Sequence, residues 1–309
     1  MALTGVIRSG FVQLRVLDME ASLKHYNEYV GLDIVETGDD GRVYLKTPGE
    51  FDHHSIILRP AEEAGMDVLG FKVDTEESLQ GFKEKLEAYG VATEEIAPGE
   101  QPGVGRRVRF VLPTGHTIDL YADMEVSIDG PMTTNPDLWH EPPRGMKPTR
   151  FDHCLLYGAD IDGSESVLVD VLGFRRTEYL HADNPEKTVI ALFLSCSARA
   201  HDIAFVRNEE NNKFHHASFN VPDWNAIGHA ADLMSRYDIP VDIGPTRHGI
   251  TQGQTIYFWD PSGNRNEVFA GGYDCYPDTP VRIWQESQGG KAIFYYEKKI
   301  NDSFMAVYT

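Results

Sequence analysis

The feature that most constrains this chain is an internal repeat. "GFVQLRVLDM" (10–19) corresponds to "RFDHCLLYGAD" (150–160), and "YNEYVGLDIVE" (26–36) to "LVDVLGFRRTE" (168–178). Further on, "VLGFKVDTEESL" (68–79) corresponds to "HASFNVPDWNAI" (216–227), and "FVLPTGHTIDLY" (110–121) to "FWDPSGNRNEVF" (258–269). The offset drifts from 140 at the first pair to 148 at the last two, which places small insertions in the second copy. Self-similarity on this scale commits the chain to two halves of like architecture. The expected division is an N-terminal domain over 1–134, a Pro-rich linker over 135–149 ("NPDLWHEPPRGMKPT"), a C-terminal domain over 150–280 and a tail over 281–309.

Each half reads twice, coarsely, as strand, helix, then several strands. "FVQLRV", "RVYLKT", "HSIILR" and "VLGFKV" are rich in β-branched and aromatic residues, as strands are. "MEASLKHYNEYV" and "SLQGFKEKLEAY" have helical apolar spacing and stop at Gly31 and Gly90, as C-caps would. Strands grouped behind each helix argue an α+β fold, two domains of two βαβββ modules each, rather than a doubly wound parallel sheet. A length of 309 residues is ample for two cores, and 41% hydrophobic with 25% charged residues is an ordinary globular balance. The net charge of −20 argues against nucleic acid or an anionic membrane as partner. Three cysteines without a C-x-x-C pair fit a reducing compartment, the cytoplasm, better than a disulfide framework. Neither a signal peptide nor an apolar membrane-spanning run is evident.

This doubled pattern resembles the vicinal-oxygen-chelate superfamily of glyoxalases, fosfomycin-resistance proteins and extradiol dioxygenases. Four modules over two domains resemble the two-domain extradiol dioxygenases, which implies strands curled around a funnel-like cavity in each domain.

Where two copies differ, the difference is informative. Aligned as above, Gln13 pairs with His153, Val68 with His216 and Asp119 with Glu267. The second copy thus has two imidazoles and a carboxylate on three strands, a set that leaves one face of an octahedral metal open and suits non-haem Fe(II). Strand alternation would put His153 with Phe151, Leu155 and Tyr157, and would turn His215 away from His216, toward the side of Ala217 and Phe219. A single histidine on an apolar strand is ordinarily a core residue, and an acid after a Pro-x-Gly turn is ordinarily a turn residue. Three coordinated changes in one half outweigh both readings. The first half, with Val68 at its centre, is expected to be structural.

The strongest local motif is "HGITQGQTIYFWDPSGNRNE" (248–267), which is similar to the extradiol dioxygenase signature: His248, Tyr257, Asp260-Pro261, Gly263 and Glu267. "RFDHCLLYG", "AHDIAF" and "FHHASF" match the histidine-bearing strands, and the likeness, strongest to the catechol 2,3-dioxygenase group, runs through nearly the whole chain. It implies Fe(II) held by His153, His216 and Glu267, a catechol chelated beside dioxygen, and ring opening next to the diol to a 2-hydroxymuconic semialdehyde. It gives His201 the role of proton donor near the bound oxygen, Tyr257 a hydrogen bond to the deprotonated substrate oxygen, and His248 a place on the substrate side. Phe193, Val206, Ile250 and Phe304 would face the ring, with Phe304 in a tail that closes over the cavity after a helix-like "AIFYYEKKIND". Gln252 stands where some relatives have histidine. A homotetramer is also implied. The other histidines (25, 53, 54, 116, 140, 181 and 229) read as surface or packing residues, with His53 the counterpart of His201. Alternatives are an extradiol enzyme for 2,3-dihydroxybiphenyl or substituted catechols, a glyoxalase-like isomerase or lyase, and an aromatic-binding protein. Val68 and the Tyr257/His248 signature argue against the isomerase, and the intact ligand set argues against the binding protein.

Overall fold

The computed structural model of the protein describes residues 3–127, 130–139 and 142–309, so His140, in the linker, lies outside the described residues. The first module opens with β1 (Val6–Val16), and Asp18 caps α1 (Met19–Leu23) by accepting the Ala21 N–H. The helix widens into a π-helical stretch, Lys24–Val30, and stops at Gly31, whose φ of 100° favours glycine. β2 (Asp33–Thr37), β3 (Val43–Lys46) and β4 (Ile56–Pro60) complete it. The second module comprises β5 (Gly65–Val73), α2 (Glu76–Tyr89), β6 (Thr93–Ile96), β7 (Arg107–Val111) and β8 (Thr117–Tyr121).

The second half repeats the order. β9 (Arg150–Gly158) and α3 (Ile161–Ser166) lead into β10 (Arg175–His181), β11 (Val189–Ser195) and β12 (Ile203–Arg207). β13 (Lys213–Asn220) and α4 (Trp224–Arg236) lead into β14 (Val241–Arg247), β15 (Gly253–Trp259) and β16 (Arg265–Gly271). The segment expected as a tail begins instead with a strand, β17 (Arg282–Gln285), which pairs in parallel with β10. It ends in α5 (Gly289–Ile293) and α6 (Asp302–Ala306). "AIFYYEKKIND" is therefore not one helix: α5 ends at Phe294, whose backbone is extended and whose buried ring packs against Phe304 and Tyr257.

The strands form an eight-stranded sheet, β2-β3-β4-β1-β5-β8-β7-β6, and a nine-stranded sheet, β14-β15-β16-β13-β9-β12-β11-β10-β17. One face of each carries the main apolar core, where Leu79, Phe82 and Leu86 of α2 and Ile227, Ala230 and Met234 of α4 are buried. The other faces differ. In the first half Phe11, Tyr44, Ile57, Val68 and Tyr121 fill the concavity as a core of their own. In the second half the matching face is left hollow.

Strand register corrects the alignment of the two halves at its first block. Gln13 pairs with Val68 on β5 and Ile57 on β4, while Leu155 pairs with His216 on β13 and Ala204 on β12. Gln13 thus corresponds to Leu155, and His153, opposite Ser218, corresponds to Phe11, opposite Gly70. By the same register Ile56 corresponds to Ile203, so the counterpart of His201 is His54 and not His53. A slip of two leaves every side chain on its own face, so alternation alone cannot detect it. The correspondences of Val68 with His216 and Asp119 with Glu267 stand.

Alternation also fails at two bulges. Phe214 and His216 pair with adjacent residues of β9, which leaves His215 as an extra residue; Phe151 and His153 pair with adjacent residues of β13, which leaves Asp152 extra. As a result Phe151 lies in the main core while Leu155 and Tyr157 face the hollow. His215 turns onto the hollow side too, stacked on Tyr157 at 5.0 Å and away from Ala217 and Phe219.

Candidate active site

Three adjacent strands of the second sheet, β16, β13 and β9, carry Glu267, His216 and His153. One ligand atom of each lies within 4.8 Å of the others. His153 Nε2 is 3.0 Å from Glu267 Oε2, and His216 Nε2 is 3.5 Å from both that oxygen and His153 Nε2. All three residues are buried, and Glu267 Oε2 has no hydrogen-bond partner: His153 is near but out of line. A buried carboxylate oxygen without a donor is costly, and a divalent cation would complete it.

The partners of the other atoms fix which atom of each group faces this centre. His153 Nδ1 donates to Asp152 Oδ2 at 2.9 Å, which assigns Nε2 to the centre. Thr255 Oγ1 donates to Glu267 Oε1 at 2.5 Å. Burial would lower the His153 pKa, but the bond to Asp152 and the charge of Glu267 outweigh it and raise it to about 9. Glu267 is held well below the usual carboxylate range: burial works the other way, but His153 and His248 prevail. Burial pushes His201 and His216 well below the ordinary imidazole value.

Tyr257 is the register partner of Glu267 across β15 and β16. Its hydroxyl lies 2.9 Å from His248 Nε2. His248 Nδ1 donates to the carbonyl of Ile293, which can only accept, and its Nε2 is shared between Tyr257 Oη and Glu267 Oε1, the latter at 3.4 Å. On the other side, the His201 ring lies 3.9 Å from that of His153, with no hydrogen bond to it among the described residues. The turn preceding His201 is set by Asp202, whose carboxylate accepts the Cys196 and Ser197 N–H groups at 2.9 and 3.0 Å.

These groups surround a cavity of about 50 Å³ lined by His153, His201, His216, His248 and Tyr257, with Phe193, Val206, Ile250 and Phe304 among its walls. Leu155, Leu180 and Ile293 also line the cavity, and among the described residues no lysine or arginine does. Two supporting residues escaped the sequence reading. Asp152 sits where alternation gave it the wrong face. Glu178 looks like any strand acid, yet it accepts the Thr251 N–H at 2.6 Å, Tyr273 Oη at 2.9 Å and Trp284 Nε1 at 2.8 Å, which pins the turn carrying Ile250.

Residues 66–125 match the family model "Catechol 2,3-dioxygenase-like N-terminal domain", and residues 150–268 match "Glyoxalase/Bleomycin resistance protein/Dioxygenase superfamily". Over 306 residues, 99% of both chains, the sequence is 47% identical to metapyrocatechase of Pseudomonas sp. (strain CF600). The chain belongs to the extradiol ring-cleavage dioxygenases. This dioxygenase is also 30% identical, over 94% of both chains, to a manganese-dependent 2,3-dihydroxybiphenyl 1,2-dioxygenase of Geobacillus genomosp. 3. Among solved structures, the 2,3-dioxygenase LapB from Pseudomonas sp. KL28 superposes with a TM-score of 0.89 at 44% identity, covering 92% of this chain and 99% of that one. As the sequence suggests, the cysteines of the dioxygenase, Cys154, Cys196 and Cys275, are unpaired and buried. Among the described residues no helix is long and apolar enough to cross a membrane.

Proposed function

We propose that this dioxygenase cleaves catechol next to its diol with O2, using Fe(II) held by His153, His216 and Glu267, and releases 2-hydroxymuconic semialdehyde. The observation that carries the reading is the unpartnered Glu267 Oε2, 3.0 and 3.5 Å from the Nε2 atoms of His153 and His216, two residues that line a small apolar cavity. The kinship with metapyrocatechase supports the substrate.

Held by His153, His216 and Glu267, a ferrous ion would supply Lewis acidity toward the diol and a path for electrons from substrate to dioxygen. The protein's own groups do the rest. His248 Nε2, kept free by the bond from Nδ1 to Ile293, takes the proton of one substrate hydroxyl, directly or through Tyr257 Oη. Tyr257 then holds the resulting oxygen anion by donating to it. His201, neutral because it is buried, is free to take the proton of the second substrate hydroxyl on the dioxygen side and to return that same proton as the ring opens. The apolar walls exclude water and keep the ring in one orientation. Both oxygen atoms enter the product, so catechol plus O2 equals the semialdehyde without further reagents.

The higher identity to metapyrocatechase, 47% against 30% for the Geobacillus relative, favours a one-ring catechol over the two-ring substrate named for that relative, and the aromatic and aliphatic walls suit such a ring. The absence of lysine and arginine among its lining residues favours catechols without a carboxylate. A cytoplasmic location and a tetramer belong to the same reading, the latter open to light scattering. In the deciding experiment, metal-free protein receives Fe(II) or, separately, Mn(II) under nitrogen, then catechol and air. Yellow semialdehyde with Fe(II) is expected. No product from any catechol at full Fe(II) occupancy rejects the reading, and activity with Mn(II) alone moves the metal assignment.

A further inference from the structure

His215 is the residue that the bulge in β13 turns onto the cavity side, one position before the proposed ligand His216. Its ring bridges two groups. Nε2 lies 2.6 Å from the carbonyl oxygen of Phe304 in α6, and Nδ1 lies 2.7 Å from His216 Nδ1. A carbonyl can only accept, so the His215 proton sits on Nε2. Of the two facing Nδ1 atoms one donates and one accepts, and a His216 that presents its Nε2 lone pair to a metal carries its own proton on Nδ1, so Nδ1 of His215 accepts. In this arrangement the Nε2 lone pair of His216 faces His153 and Glu267.

The carbonyl at the head of this chain is itself held in place. Arg265 donates to Ser303 O at 3.0 Å and to Val307 O at 2.8 Å, on either side of Phe304, and is paired with Asp242 at 3.1 Å. The last residue closes a two-way main-chain pair with β13: Phe214 N to Thr309 O at 2.7 Å, and Thr309 N to Phe214 O at 2.9 Å. The segment that covers the cavity with the Phe304 ring thus also reaches the metal-binding face through its backbone.

We propose that His215 is a positioning residue that couples the seating of the C-terminal segment to the metal centre: the Phe304 carbonyl fixes the His215 tautomer, and His215 fixes His216 with Nε2 presented to the metal. With the segment lifted, His215 is free to carry its proton on Nδ1, and the Nδ1–H of His216 then meets a donor instead of an acceptor. Metal affinity therefore depends on the segment, and by reciprocity bound metal seats the segment. The inference rests on the metal site proposed above.

Two substitutions separate the two ends of the bridge. In His215→Asn the amide oxygen lies near the place of Nδ1 and accepts from His216, but nothing reaches Phe304. In His215→Gln the amide nitrogen lies near the place of Nε2 and donates to Phe304, but nothing faces His216. Fe(II) affinity of the full-length, metal-free protein is read under nitrogen by competition with a chelator. Gln is expected to weaken it about 10- to 100-fold, the usual effect of removing a ligand's hydrogen-bond partner, and Asn by much less. Amide exchange of residues 289–309 is read with and without Fe(II). Metal should slow it in the unsubstituted protein and leave it unchanged in His215→Asn.

Equal affinity in the unsubstituted protein and His215→Gln overturns the proposal, as does persistent coupling in His215→Asn. Nitrogen-15 NMR of the imidazoles in the metal-free, unsubstituted protein needs no variant to fold: protons are expected on Nε2 of His215 and Nδ1 of His216, and either tautomer reversed overturns the proposal. The metal-site reading fails separately, if the unsubstituted protein binds no Fe(II) or if His216→Ala binds it equally well.

Discussion

Phe11 and His153 hold the same place in their two sheets, the one opposite Gly70 and the other opposite Ser218. Around Phe11 stand Tyr121, at 5.5 Å between ring centres, and His54, at 6.0 Å. Around His153 stand their counterparts Phe269, at 5.4 Å, and His201, at 3.9 Å. The two halves thus share a frame of rings and differ in what occupies its middle, a phenyl ring in one and an imidazole in the other.

The carboxylates diverge in the same way. Asp119, the counterpart of Glu267, is fully buried and accepts Arg107 Nη1 at 2.8 Å and Arg109 Nε at 2.8 Å. By register these arginines correspond to Thr255 and Tyr257. Two guanidinium groups occupy the role that a cation would have in the second half. Asp119→Asn leaves the buried Arg107 with only the half-exposed Glu100 as counter-charge, and a loss of roughly 2–4 kcal/mol in urea unfolding is expected, below or at the low end of that for a fully unpaired buried charge. Fe(II) binding per folded molecule should be unchanged. Loss of binding in a folded variant would mean that the first half has a part in the centre.

Metal uptake should release a proton. His153, raised to about 9, is largely protonated in the metal-free protein at pH 7, and its Nε2 must be free before it can bind. Calorimetry in two buffers of different ionisation enthalpy should give about one proton released per metal at pH 7, falling as the pH approaches 9. With the sign worked through, a raised histidine stabilises the metal-free fold below about 6.5 and loses that contribution as pH rises through about 9. No release at pH 7 would contradict the pairing of His153 with Glu267.

Tyr257→Phe keeps the ring against Phe294 and Phe304 and removes only the hydroxyl that meets His248. Its kcat/KM should drop by about 10²–10⁴, in the range of a lost acid–base group, with Fe(II) affinity unchanged. Replacement of His201 should likewise spare Fe(II) binding, while slowing turnover or uncoupling oxygen consumption from product. Loss of Fe(II) in either variant would move that residue into the ligand set.

Acid should loosen the contact between the halves. His116 is buried, accepts from Thr114 and donates through Nε2 to the carbonyl of Lys213 across the two halves, and burial lowers its pKa to about 4. A depressed histidine is protonated first in the unfolded chain, so stability is whole above about 6.5 and falls as pH drops toward 4. The shift corresponds to roughly 3 kcal/mol from this residue. His25, lowered to about 3 by burial and bonded to Asn266, acts in the same direction. His116→Gln should flatten the dependence of urea midpoint on pH between 4 and 6.5, and an unchanged slope would remove His116 from the account.

Much of the candidate site was legible because it is carried by side-chain type at fixed places in a repeat. Val68 against His216 and Asp119 against Glu267 are differences between copies, and the 248–267 motif brought Tyr257 and His248 with them. The pairing of Gln13 with His153 drew attention to a residue that the fold brings beside His216 and Glu267, but by a wrong correspondence, since the true counterpart is Phe11. Neighbouring residues of one face look alike at a spacing of two, so sequence similarity tolerates that slip while hydrogen-bond register does not.

The run of strands and helices along the chain and the places of the two histidines and the acid proposed as ligands are properties of residue type and period, and they were present in the sequence alone. Only the tertiary structure decided what holds those side chains. The bulges that turn Asp152 and His215 toward the site break the alternation by which a strand is read. The groups that orient His248 and His215, the carbonyls of Ile293 and Phe304, belong to the main chain, which is the same at every residue. A backbone acceptor acquires a role only from where the fold brings it.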